Sequence, residues 1–277
     1  MAALDAVRTF YFDFKRITSP MMISQHYFTF PFYIPRVCAL FKNWPLFLFN
    51  YIFRRIQPAE YKFRDGTRLL DGTGTLAGTI AVVFVRQEYG QIDKYQTILD
   101  IGANMGSFML YAARSNSGAK IYCYEPVLQN FSLLTKNIKI NSLMSRVFAF
   151  QYAVAANNGP MDILLSASPL HSFYSINRDC EHEKVECTTL KKIIELHGLE
   201  KIDLLKMNCE GAEYEILENC LPDEFERIYN IRLEYHNLGA TKRNGDFLAR
   251  FLTKQGYSIQ RFTRYKNESG FIWASRI

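Results

Sequence analysis

The chain has 277 residues, 48% of them apolar, enough to bury a full core. Its formal charge of +6 lies wholly in residues 1–64, where nine Lys/Arg face three Asp/Glu; the other 213 residues carry 24 of each sign. Those basic residues are scattered singly and no nucleic-acid motif accompanies them, so nucleic acid is not an expected partner. Six cysteines show neither a C-x-x-C pair nor a zinc-like spacing, so reduced thiols and no metal are expected. Asp5, Arg8 and Asp13 interrupt the first 14 residues and no small-residue cleavage pattern follows, so a cytoplasmic protein is expected.

Residues 1–64 also hold 17 of the 41 aromatic residues. That contrast sets a basic, aromatic-rich N-terminal helical segment (1–64) ahead of a larger domain (65–277). Residues 28–41 and 44–53 are apolar but broken by Pro31, Pro35, Lys42 and Pro45, so a run of about 18 apolar residues able to span a bilayer is lacking. The pattern predicts one or two helices over 36–56, with Arg54 and Arg55 complementing the helix dipole. Two roles compete for this segment. A basic aromatic surface suits peripheral contact with an anionic membrane or a lipid-linked glycan. The blander role is a helical cap whose Phe and Tyr pack on the domain or on a second subunit of a homodimer.

Residues 61–70 read as a lead-in strand turning at Asp65-Gly66, and 71–78 as a Gly/Thr-rich loop over a cofactor pocket. No Gly-Lys-Ser/Thr follows, so it is not a P-loop. Residues 79–89 regain apolar periodicity as a strand or short helix. Residues 97–100 then form a short buried strand ending in Asp100, and Gly102 and Gly106 flank a tight turn before an amphipathic helix, Ser107–Ser115. A strand, glycine turn and helix place bare backbone N–H groups at the carboxyl edge of a parallel sheet, where nucleotide-like cofactors bind. The spacing is G-x-x-x-G, so the dinucleotide fingerprint is absent. Glu125 ends the next strand, Lys120–Tyr124, about where a ribose-diol acceptor stands in such folds. A solvated strand-end carboxylate is its plain alternative.

Residues 127–141 predict a helix stopped by Asn141, in which Asn130 either orients the site or lies on the surface. Residues 146–154 predict the third strand, with Gln151 and Ala153 at its edge. Strands over 161–165 and 184–187 flank a polar stretch, 166–182, that holds His171 and Ser172 and is a candidate acceptor-binding lid. His171 is as readily an exposed loop residue. A helix over 189–197 follows, with Thr188 or Thr189 as its N-cap, then a strand over 202–207 leading into Asn208-Cys209-Glu210-Gly211. A strand over 228–235 sends Arg232, Glu234 and His236 to one face. A helix over 245–255 and strands over 257–262 and 271–275 close the chain.

Taken in order, D-I-G-A-N-M-G-S-F, Y-E-P-V-L-Q-N-F-S-L-L-T-K-N-I-K-I-N, T-T-L-K-K-I and I-D-L-L-K-M-N-C-E-G-A-E resemble the FkbM family of S-adenosylmethionine-dependent methyltransferases, over residues 97–236. The resemblance implies a class I fold: doubly wound, Rossmann-like α/β, with a seven-stranded mixed sheet closed by an antiparallel hairpin. It implies S-adenosylmethionine as cofactor, bound by Asp100, Gly102, Ala103, Asn104, Gly106 and Glu125, with Asn208 beside it. It also suggests that Glu88-Tyr89 touches the cofactor and that the loop with His171 and Ser172 touches the acceptor.

The implied reaction is O-methylation of a hydroxyl on a sugar, glycan or glycosylated metabolite. Small secondary metabolites are the second acceptor class. A sugar hydroxyl has a high pKa and gains from a nearby base; His236 suits that role by its ordinary pKa, with Glu210 orienting it or binding substrate and Glu234 beside the acceptor. Plainer roles are a satisfied strand-end histidine and a helix N-terminal carboxylate. The family pattern has Asp where this chain has Asn208. That departure weakens any case for a metal and keeps open a non-catalytic cofactor-binding or interaction protein.

Overall fold

The computed structural model describes residues 30–53, 59–72, 74, 76–165, 181–238, 243–265 and 269–277. His171, Ser172 and residues 1–29 lie outside that set, so the lid expectation falls outside it too. The described chain enters through helices Ile34–Leu40 and Trp44–Phe53 and a hairpin, β1 (Ala59–Lys62) and β2 (Arg68–Asp71). Two paired strands thus stand where a single lead-in strand is expected. Asp71 ends β2 fully buried and accepts from the backbone N–H groups of Gly74 (2.7 Å) and Leu76 (3.0 Å). This carboxylate fixes the start of the helix Leu76–Ile80, which runs on as a π-helical turn, Ala81–Val85. Residues 76–85 are therefore helical.

Next come β3 (Thr97–Ile101), helix Ser107–Ser115, β4 (Lys120–Tyr124), helix Leu128–Ile140 and β5 (Val147–Phe150). Three strands, β6 (Ala153–Val154), β7 (Gly159–Leu165) and β8 (Glu181–Thr188), form a separate small sheet. The strand expected over 146–154 is thus two strands, because the chain leaves the main sheet after Phe150. Helix Leu190–His197 follows, with Thr189 as its N-cap, then β9 (Leu204–Met207), two short helices, β10 (Asn230–Tyr235), helix Gly245–Lys254, β11 (Tyr257–Phe262) and β12 (Gly270–Arg276).

The main sheet has seven strands in the order β11-β12-β10-β9-β3-β4-β5. Within it β12 alone pairs antiparallel with both neighbours. β3 pairs parallel with β4 on one side and β9 on the other, so the winding reverses between β3 and β9. Ligands bind at such a reversal, outside the carboxyl ends of the strands. Alternate residues feed two cores: Ile98, Ile121 and Leu204 face one, Leu99, Tyr124 and Leu205 the other.

The N-terminal segment completes the first core. Val37, Phe41, Phe47, Tyr61 and Phe63 are buried in one cluster with Phe84 and with Phe108–Ala113 of the helix Ser107–Ser115. That helix, read as amphipathic, is buried from Ser107 to Ala113 because aromatic residues cover its outer side. Arg114 stacks on Phe63 (4.3 Å) and pairs with Asp65. The edge of β2 is closed by amides: Asn137 accepts from Leu70 N (2.7 Å) and donates to Met105 O (2.8 Å), and Asn141 bonds both backbone groups of Arg68. In the closing hairpin, the Trp273 indole lies between Arg232 (4.3 Å) and Arg261 (4.9 Å) and donates to Glu88 O at 2.8 Å. Trp44, half-buried, packs on the first core. Among the described residues no helix is long and apolar enough to cross a membrane.

Candidate active site

A cleft of about 870 Å³, open mouth included, lies over the reversal point. On one side stands the glycine turn. Gly102 has φ +72°, and a Cβ there would fall 2.0 Å from Asn208 O, so only glycine lets the two chain segments meet. Its N–H and that of Ala103 both donate to Tyr124 O at 3.0 Å. Glu125 is buried and accepts from Asn104 N (2.9 Å), Val127 N (3.1 Å) and Asn130 Nδ2 (3.3 Å). Burial pushes its carboxyl up to about 7, against the pull of those three donors. Asn130, 2% exposed, is an orienting residue and not a surface one.

Asp100 lies behind the turn, at 0% exposure, and does not line the cleft. Its Oδ1 pairs with Lys206 Nζ at 2.7 Å, in register on the adjoining strand. Lys206 also donates to Gly102 O (2.7 Å) and lines the cleft. Asp100 thus acts on the turn through Lys206. Gly106, also outside the lining, opens the helix. Glu88 turns away from the cleft to pair with Arg261 at 2.6 Å, while Tyr89 lines it. Of the two edge residues, Ala153 lines the cleft, Gln151 is exposed, and Tyr152 stands in its place.

The other side is built by β9, the loop after it and the end of β10. Asn208 and Glu210 line the cleft; Glu234 and His236 stand behind them. Asn208 Nδ2 donates to Glu234 Oε2 at 3.0 Å. Glu210 adopts a left-handed backbone (φ +51°) that turns its carboxylate to His236 Nε2, 3.4 Å away. The fully buried Glu213 holds this loop: it accepts from Cys209 N (3.0 Å) and Gly211 N (2.8 Å) and faces His236 Nδ1 at 3.1 Å.

Both imidazole nitrogens therefore meet carboxylates. Burial alone would lower the His236 pKa, but Glu213, Glu210 and Glu234 overcome it and raise it to about 10. A carboxylate at each ring nitrogen favours the charged imidazolium over the neutral form that a base at His236 requires. Burial pushes Glu210 up to about 7, opposed by His236. Among the described residues no group of three or more His, Cys, Asp or Glu side chains is arranged to hold a metal ion.

Three site residues escape the sequence reading. Lys206 was signalled by a cation inside the apolar run I-D-L-L-K-M. Glu213 was signalled only as the last residue of N-C-E-G-A-E, and Tyr152 by nothing beyond its neighbours. The cleft suits a polar ligand: Ser107 Oγ and Asn208 Oδ1 are buried there with no hydrogen-bond partner among the described residues.

The strand order, the turn at the reversal point and the strand-end Glu125 define a Rossmann-like methyltransferase domain. The family model described as the methyltransferase FkbM domain matches residues 100–259, more than half of the sequence, and the chain belongs to that family. The donor such a domain uses is S-adenosylmethionine. The chain is 28% identical over 168 residues to methyltransferase sdnD of Sordaria araneosa, covering 50% of this chain and 65% of that one. It is 23% identical over 158 residues to methyltransferase 1 of Beauveria bassiana, covering 50% and 63%. It thus spans less than two thirds of either relative. Among solved structures, the FkbM methyltransferase of Methylobacillus flagellatus is similar at 14% identity with a TM-score of 0.49, over 70% of this chain and 47% of that one.

Proposed function

We propose that the chain is an S-adenosylmethionine-dependent O-methyltransferase acting on a hydroxyl of a sugar, glycan or glycosylated metabolite. One observation carries the reading: a single cleft is lined on one side by the glycine turn and Glu125, and on the other by Glu210 backed by His236. S-adenosylmethionine, when bound, supplies an electrophilic methyl group on a sulfonium. Glu125 retains acceptor capacity for one ribose hydroxyl at Oε2, since a carboxylate has about four lone-pair sites and three are engaged, two of them at Oε1. Backbone at Gly102–Asn104 closes on the remainder. Glu210, raised toward neutrality, accepts the proton of the attacking hydroxyl and becomes neutral, while His236, held by Glu213, orients Glu210 from behind.

Calorimetric titration of S-adenosylmethionine into the wild type and Glu125→Ala tests this reading. Micromolar binding weakened at least about tenfold in the variant supports it, since one lost charge-assisted bond of about 1.5–3 kcal/mol is of that size. Absence of binding to folded wild type overturns it. A glycan panel set against small hydroxylated metabolites then separates the two acceptor classes.

The division at 64/65 fits a cap added to a methyltransferase domain, placed in the cytoplasm at a membrane surface. Its inner aromatics are core, but Phe32 (84% exposed), Phe49 (42%), Ile52 (50%) and Phe53 (44%) face outward. No acidic residue occurs between Asp13 and Glu60, whereas six basic ones do. That combination suits an anionic lipid surface. Phe49→Asp should reduce co-sedimentation with phosphatidylserine vesicles and leave phosphatidylcholine vesicles unbound. Equal pelleting of wild type and variant removes the membrane role, and a dimer broken by Phe49→Asp reassigns the face to a second copy.

A further inference from the structure

Asn208 is fixed from several directions. Its backbone N–H donates to Ile101 O at 3.1 Å, and its carbonyl oxygen abuts Gly102 so closely that a Cβ there would lie 2.0 Å away. Nδ2 donates to Glu234 Oε2 at 3.0 Å, and Oδ1 is buried without a hydrogen-bond partner among the described residues. Glu234 does not line the cleft; Asn208 does. Burial raises the Glu234 pKa; Glu213 adds to that, while His236, Lys206 and Arg86 oppose it.

An amide donates to one neighbour and offers an acceptor to another at any pH, without a charge of its own. An ionised carboxylate at 208 would stand about 3 Å from a second buried carboxylate, and one of the two would have to keep a proton. The pair in place carries at most one negative charge and leaves one acceptor to spare.

We propose that Asn208 is an adapted positioning residue and not a lost acid: its amide holds Glu234 and presents Oδ1 to an N–H or O–H donor of the bound ligand. The ligand part of this inference rests on the cofactor reading above; the pairing part does not. Position 208 therefore selects for an amide as long as position 234 is a carboxylate.

The test compares full-length wild type, N208D, E234Q and N208D/E234Q by urea unfolding at pH 6 and pH 9 and by calorimetric titration with S-adenosylmethionine. The titratable groups around Glu234, namely Glu210, Glu213, His236, Lys206, Arg86 and the Tyr89 and Tyr265 hydroxyls, are common to all four, so differences report the pair. At pH 9, N208D should lose at least tenfold in the unfolding equilibrium constant. The loss should shrink at pH 6, where a carboxyl that keeps its proton donates as the amide does. N208D/E234Q, with donor and acceptor exchanged, should return to within threefold of wild type at both pH values. Cofactor affinity of N208D should fall at least tenfold at pH 9 and recover in the double variant. E234Q should bind within threefold of wild type.

N208D as stable as wild type at pH 9, N208D binding the cofactor more tightly, or a double variant no better than N208D would each overturn the proposal. A wild type that binds no cofactor would remove the cofactor reading instead, while the unfolding comparison still judges the pair.

Discussion

The two sides of the cleft hold their carboxylates in opposite ways. Glu125 is held by N–H groups from residues 104, 127 and 130, all close in sequence and all uncharged. Glu210, Glu213 and Glu234 gather instead around one histidine that belongs to another strand. One side binds through preformed geometry; the other balances charge. Both should respond to pH, the first near neutrality, where Glu125 titrates at about 7, and the second up to about 10, where His236 gives up its proton. Gly102 is where the sides touch.

The most disruptive change strikes that junction. Gly102→Ala must displace Asn208 O and hold a left-handed residue, so a loss of about 3 kcal/mol or more is expected, read as a collapse of soluble yield or of Tm. Retention of wild-type Tm would show that the two sides are not mechanically joined there.

Next is the ion pair beneath. Lys206→Met strands Asp100 at 0% exposure and should cost about 3–5 kcal/mol, whereas Asp100→Asn combined with Lys206→Met should recover most of it. A double-mutant cycle in urea measures this, and strict additivity would mean the pair does not support the turn.

The smallest effect sharpens the contrast in pH response. His236 has its folded pKa raised from 6.5 to about 10, so its stabilisation is complete below the unfolded value and is lost as pH rises toward 10. Thermal unfolding from pH 6 to 10 should show a Tm decline of several degrees in the wild type, at about 2–4 °C per kcal/mol, that is largely absent in His236→Gln. Parallel curves would show that the carboxylates do not hold the ring charged.

What could be read from the sequence follows the same division. Glu125 was legible because its partners lie within residues 104–130, and the turn because its two glycines stand four positions apart after a short strand. Lys206 was not, because its meaning depends on facing Asp100 across two strands more than 100 positions apart in the chain. Glu213 depends likewise on His236. The strand reading erred at residue 151 because leaving the sheet after Phe150 broke the alternation on which it relied. The helix Ser107–Ser115 looked two-faced because the residues covering its outer face come from a separate segment, residues 30–64.

The chain contains two tryptophans, one in the N-terminal helices and one in the closing hairpin. Trp44 sits in the N-terminal layer, and Trp273, between two guanidinium groups, is hydrogen-bonded to the carbonyl of the residue before the cleft-lining Tyr89. The molecule thus carries two built-in optical probes with separate subjects. With Trp44 replaced by Phe, the emission of Trp273 alone would follow the filling of the cleft. With Trp273 replaced, Trp44 would report the encounter of the aromatic face with a lipid surface.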